Sequence, residues 1–281
     1  MKKKLNLRIF VLVMIFLFTL VPKGFAHELF IVVDEEVGSE ELEVDVLWGH
    51  LRDFVDNTDL EDYQLHVKHP NGKIESLELE AVGVHARSFV SPPEEGSYVF
   101  WATRTPRPYS PDDETTILSN HMAKTIYQVG EGNGSPSITE NLTLEINPEV
   151  DLTSFTTGTF TAQVMYDGEV AANAIVSAYG PSGEILEETT DEDGMFLFEI
   201  ETEGQWLFKA TVDMDEAGEV NGEEYESISN TTTLIIDNTS GGEAQLNIDQ
   251  PPYTLTFITL FIGLLLGSAI TMLVAMRKRN H

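Results

Sequence analysis

Leu42, Val44, Val46 and Trp48 fall on one side of an alternating segment, with Glu43 and Asp45 on the other. A period of two is the signature of a half-buried β-strand, because successive side chains point to opposite faces. The same alternation recurs in Tyr63-Leu65-Val67, in Tyr98 and Phe100 opposed by Val99 and Trp101, in Phe196-Phe198-Ile200, and in Trp206-Phe208-Ala210. Turn formers separate these runs: Pro70-Asn71-Gly72, Asp167-Gly168, Pro181-Ser182-Gly183 and Asp193-Gly194. Short strands at close spacing with turns between them predict sandwiches. Ile117 to Gln128 reads equally as a short helix or as a loop plus a strand.

The two ends carry a different pattern. Lys2, Lys3, Lys4 and Arg8 precede an apolar run from Ile9 to Val21, and Gly24 and Ala26 supply the small residues of a cleavage site. The spacing predicts a signal peptide over 1–26, cut before His27. Thr254 to Met276 is a second apolar run, about 35 Å long as a helix at ~1.5 Å per residue, long enough to cross a bilayer. Arg277-Lys278-Arg279 follow it, a basic flank that marks the cytoplasmic side. The expected fold class is all-β: two Ig-like or transthyretin-like β-sandwich domains followed by a single C-terminal transmembrane helix. The expected domains are an N-terminal sandwich over 27–147, a second over 148–238, a Gly-, Ser- and acid-rich stalk over 239–252, a span over 253–276 and a tail over 277–281. These signals predict a single-pass type I membrane protein whose bulk lies outside the cytoplasm.

All 47 acidic residues lie between His27 and Asp249, among only eight basic ones, a balance of −39. Such a surface repels nucleic acid and anionic headgroups, so no nucleic-acid partner is expected. Solubility or tolerance of high salt accounts for the bulk charge, and the acid count by itself identifies no site. Cysteine is absent, so neither disulfides nor thiolate chemistry contributes. The sequence contains no nucleophile elbow, phosphate loop, HExxH helix or close carboxylate pair, and the reading is of a non-enzyme. Asp191-Glu192-Asp193-Gly194 lacks the remainder of a calcium loop and reads as a turn. The ectodomain methionines are scattered, unlike a thioether copper relay.

The chemistry that remains is nitrogen ligation. Cleavage before His27 would place a free α-amine and an imidazole on one residue, a two-nitrogen chelate suited to Ni, Cu, Zn or Fe(II). His50 follows a strand end and Gly49, where a loop presents side chains from a rigid scaffold. Asp53 offers an oxygen ligand or an orienting partner, and His121 is a further candidate. The metal candidates are therefore His27, His50, His121 and Asp53. Their plain alternative is loop and terminal residues with no ligand. His66 and Lys68 are expected on the polar face of a strand, His69 in a turn, and His85 as a structural strand residue.

Two stretches carry a family resemblance. Asp167 to Val176, Thr189 to Phe198 and Gly204 to Ala210 resemble a transthyretin-like, carboxypeptidase-regulatory type of β-sandwich. That fold implies a structural or interaction module and no catalysis. Ala26-His27-Glu28-Leu29-Phe30, Trp48-Gly49-His50 and the C-terminal anchor resemble the extracytoplasmic proteins associated with nickel and cobalt uptake transporters. In those relatives an aromatic residue follows the Gly-His pair closely; here it is Phe54, after Leu51-Arg52-Asp53. The resemblance implies a membrane-anchored accessory protein that captures a divalent transition metal, with the membrane and the transporter's membrane subunits as partners. The alternative expectation is a cell-surface adhesion or structural protein of two β-sandwich modules with no metal site.

Overall fold

The computed structural model describes residues 27–35, 41–51, 55–57, 59–92, 94–111, 115–130 and 142–239. The expected signal peptide, the expected stalk beyond Thr239, the expected membrane span and Asp53 lie outside the described residues. Among the described residues no helix is long and apolar enough to cross a membrane.

The protein is all-β, with a single 3-10 turn at Leu60–Asp62 among the described residues. Nine described strands precede residues 131–141: β1 (Glu28–Glu35), β2 (Leu42–Gly49), β3 (Tyr63–Lys68), β4 (Ile74–Leu77), β5 (Glu80–Val82), β6 (His85–Val90), β7 (Gly96–Arg104), β8 (Arg107–Tyr109) and β9 (Ile117–Val129). Ten follow them: β10 (Leu144–Pro148), β11 (Gly158–Tyr166), β12 (Glu169–Val170), β13 (Ile175–Tyr179), β14 (Ile185–Thr189), β15 (Met195–Ile200), β16 (Gln205–Met214), β17 (Gly218–Val220), β18 (Glu223–Tyr225) and β19 (Ser227–Asp237).

One sheet organises the molecule. It runs β14-β13-β16-β19-β9-β7-β3-β4, with β8 paired to β9, so it draws strands from both halves of the chain. The join is the parallel pair β9–β19, from Ser227 opposite Ile117 to Ile235 opposite Thr125. Smaller sheets cover it on its two faces. Sheet β1-β2-β6-β5 packs Leu29, Ile31, Val44 and Val46 against Leu65, Phe100, Ala102 and Ala123. On the other face, β10, β11, β12 and β15 pack Leu144, Phe160 and Phe196 against Trp101, Met122, Phe208 and Leu234. Phe100 and Trp101 are consecutive, as are Met122 and Ala123, yet each pair divides between two cores. That is strand alternation in a sheet buried on both sides.

Three expectations change. Ile117 to Gln128 is neither helix nor loop; it is most of the 13-residue strand β9. Leu144 and Ile146, inside the expected 27–147 domain, pair instead with β11 of the second half, Leu144 opposite Tyr166. His69 is buried rather than displayed in its turn, its ring meeting Tyr98 at 5.4 Å, while His66 stacks on Trp101 at 5.2 Å. In both cases a strand neighbour's ring offers the imidazole an apolar face. His85 does sit on a strand, beside Asp45 at 3.4 Å.

Polar ties cross between the layers. Lys124, with no exposed surface, donates to Glu145 Oε2 at 3.0 Å and Asn147 Oδ1 at 2.6 Å. Burial pulls its ammonium below the usual lysine range, and Glu145 opposes that. Thr233 Oγ1 donates to the Leu29 carbonyl at 2.5 Å, holding β1 to the long sheet. These bonds satisfy groups that would otherwise be costly to bury.

Candidate functional site

β1 and β2 form an antiparallel pair in which Glu28 lies opposite Gly49 and Leu29 opposite Trp48. That register places His27, just before β1, next to His50, just after β2. Their ring centroids are 4.9 Å apart with a 62° tilt. The chain then folds back through a bridge between Gly49 and Val55 and a bond from the Asp56 amide to the Trp48 carbonyl, 2.8 Å. Asp56 arrives beside His27, Oδ2 to Nε2 2.7 Å.

Trp48 is the hub. His27 stacks on its indole at 5.6 Å, the Arg104 guanidinium lies over it at 4.1 Å, and the His121 ring meets it edge-on at 4.7 Å. His121 comes from β9, on the face of the long sheet that carries Ala123. Ser119 Oγ lies 2.7 Å from its Nε2, while Nδ1 is sealed from solvent with no hydrogen-bond partner among the described residues. Burial, with Arg104, Lys209 and His27 adding to it, pushes the His121 pKa down to about 3. The ring is therefore neutral at ordinary pH, the state that ligates a metal.

Glu28 sits beneath this cluster, 5 % exposed, with Lys209 Nζ of β16 at 3.2 Å from its Oε1. Burial pushes the Glu28 carboxyl up and Lys209 works against it. For Lys209, burial acts downward but the Glu28 carboxylate and the Tyr179 ring leave it above the usual range. The pair anchors the residue that follows His27.

Three of the four sequence candidates thus lie near one another: His27 and His121 both meet Trp48, and His50 meets His27. The fourth, Asp53, lies outside the described residues. Among the described residues no three of His, Cys, Asp and Glu stand close enough to hold a metal ion, so the cluster is not a formed donor set. Sequence reasoning missed Asp56, Arg104 and Lys209. Asp56 is only three residues past Asp53, but the fold-back that delivers it leaves no periodic trace. Arg104 and Lys209 reach the site from other layers of the fold.

No curated protein matches the chain. Among solved structures it is similar to a Ca2+-stabilised, ice-binding adhesin of an Antarctic bacterium, at 12% identity over 75% of this chain and 49% of that one, TM-score 0.21. It is also similar to a two-domain fibronectin type III segment of chicken tenascin, at 13% identity over 75% of this chain and 97% of that one, TM-score 0.21. The chain spans about half the length of the adhesin, and at these TM-scores neither likeness bears on function. Residues 24–213, well over half of the sequence and taking in β1 to β15 and most of β16, match the family described as Domain of unknown function (DUF4198), and the chain belongs to that family.

Proposed function

We propose that this protein is a membrane-anchored, extracytoplasmic, non-catalytic accessory protein that captures a divalent transition metal, nickel or cobalt, for an uptake transporter. The observation that carries the reading is that His27 meets the His50 ring on one side and the Trp48 indole on the other, while His121 meets the same indole. Cleavage before His27 converts its backbone nitrogen to an amine, which with the ring makes a chelate beside His50. His121, neutral and with Nδ1 lacking a partner among the described residues, is a third imidazole, and Asp53 remains the oxygen candidate. Copper and zinc suit the same nitrogen donors, so selectivity would rest on geometry and supply. Native mass spectrometry of the mature protein titrated with Ni, Co, Cu and Zn tests this directly: one ion per chain is expected.

A second reading has its own support. The described residues hold no metal-competent group, and the molecule is a layered all-β body. A cell-surface adhesion or structural role without metal fits both facts. A mature protein that takes up none of the four metals is the result that selects it.

A further inference from the structure

Among the described residues five basic side chains are paired with carboxylates. Lys73 pairs with Glu75, Arg87 with Asp45 and Glu43, Arg107 with Asp62, Lys124 with Glu145 and Lys209 with Glu28. Arg104 differs. No carboxylate of the described residues lies within ion-pair distance of it, although 47 acidic residues are present in the sequence. It stands at the end of β7 opposite Tyr63, half-buried, with its guanidinium carbon 4.1 Å from the centre of the Trp48 ring and its Nε sealed from solvent without a hydrogen-bond partner. Tyr63 is the polar side chain beside it.

We propose that Arg104, stacked on Trp48, is the docking point for a carboxylate of a small organic anion presented to the histidine cluster. A guanidinium is a planar fork of donors whose geometry matches a carboxylate, and stacking on an aromatic ring fixes its plane. Arg104 shares a side-chain hydrogen bond with Tyr63, but its Nε donor is buried without a partner, and a carboxylate that reached it would remove that cost. Trp48 joins the two halves of the site, because the same ring touches Arg104, His27 and His121. The strongly negative surface repels a free organic anion. A carboxylate that arrives already chelating a divalent cation escapes much of that repulsion and satisfies Arg104 and the imidazoles together. The favoured ligand is therefore a metal–carboxylate chelate rather than the bare ion. This rests on the metal-capture reading for its histidine half only; the Arg104 half stands without it.

The test uses the purified processed protein, beginning at His27, titrated calorimetrically with citrate, nickel chloride and preformed nickel citrate, with tryptophan fluorescence locating the site. Trp101 and Trp206 are each 1 % exposed, so a ligand-induced change reports on Trp48. Nickel citrate should bind about tenfold or more tightly than nickel alone, as expected for a charge-assisted pair. Arg104→Gln should erase that preference and leave nickel alone unchanged. Equal affinities for the two in the native protein, or a preference that survives Arg104→Gln, overturns the proposal. If nickel alone does not bind but citrate binds in an Arg104-dependent way, the metal reading falls and the anion site stands. If Arg104→Gln does not fold, Arg104→Lys decides. It keeps the charge and loses the fork, so the preference should drop severalfold, and an undiminished one counts against the site.

Discussion

Lys209 of β16 reaches across two layers to Glu28, the first residue of β1, with Nζ 3.2 Å from Oε1. Glu28 is 5 % exposed and adjoins His27, so this ion pair ties the end of the chain that bears the candidate site to the long sheet. Removing one partner strands the other. Lys209→Met should cost about 3–5 kcal/mol in urea unfolding, the range for a buried charge left alone. Adding Glu28→Leu should recover most of that loss. A Lys209→Met protein as stable as the native one would show that the pair is not sealed from water.

Asp34, near the end of β1, has its pKa raised to about 6, first by burial and then by the Asp45 and Glu43 carboxylates, with Arg87 opposing and Asp237 adding a little. For an acid raised in the folded state, the contribution is fully present below the unfolded value, about 3.9, and is lost as pH rises through about 6. At neutral pH the ionised carboxylate therefore works against folding. Asp34→Asn should melt higher than the native protein at pH 7–8, by about 2–4 °C for roughly 1 kcal/mol after discounting for its partial exposure. The gap should close as pH falls below 5. A difference independent of pH would mean that Asp34 acts through packing.

How much of this could be read from the sequence depended on burial. β2 alternates and ends at Gly49, so that strand was legible and His50 stood out after it, but β1 is buried from Glu28 to Val33 and has no period of two, so its pairing with β2 was not read. β9 was not, because Met122 and Lys124 face one core while Ala123 faces the other, and a strand covered on both sides loses its period of two. The parallel join of Thr125 to Ile235, more than a hundred residues apart, leaves no local mark. For the same reason β10 looked like the last strand of the first half, although Glu145 points to Lys124 and its neighbours pack on Phe160. Arg104 and Lys209 were invisible as site residues because tertiary packing, not spacing, brings them in.

His121, with its pKa pushed down to about 3 by burial and by Arg104, Lys209 and His27, should stay neutral through mild acid. A base depressed in the folded state contributes stability above its unfolded value, about 6.5, and that contribution is lost as pH falls toward the folded one. The His121 ring signal in a proton NMR titration should remain flat from pH 8 to about 4.5. His121→Gln should flatten the fall in unfolding free energy between pH 6.5 and 4. A ring signal that titrates near 6 contradicts the burial described for it.

The central claim is that the mature N-terminus and His50 capture one divalent metal. Nickel and cobalt affinity, measured by calorimetry on the processed protein, tests it most directly alongside His50→Ala and a form with one extra residue ahead of His27. The account predicts one ion per chain in the processed protein, bound more tightly as pH rises from about 5 to 8 because amine and imidazole must lose protons to ligate. Both altered proteins should bind at least tenfold more weakly with an unchanged melting temperature. Equal affinity in all three, or no uptake in any, contradicts it.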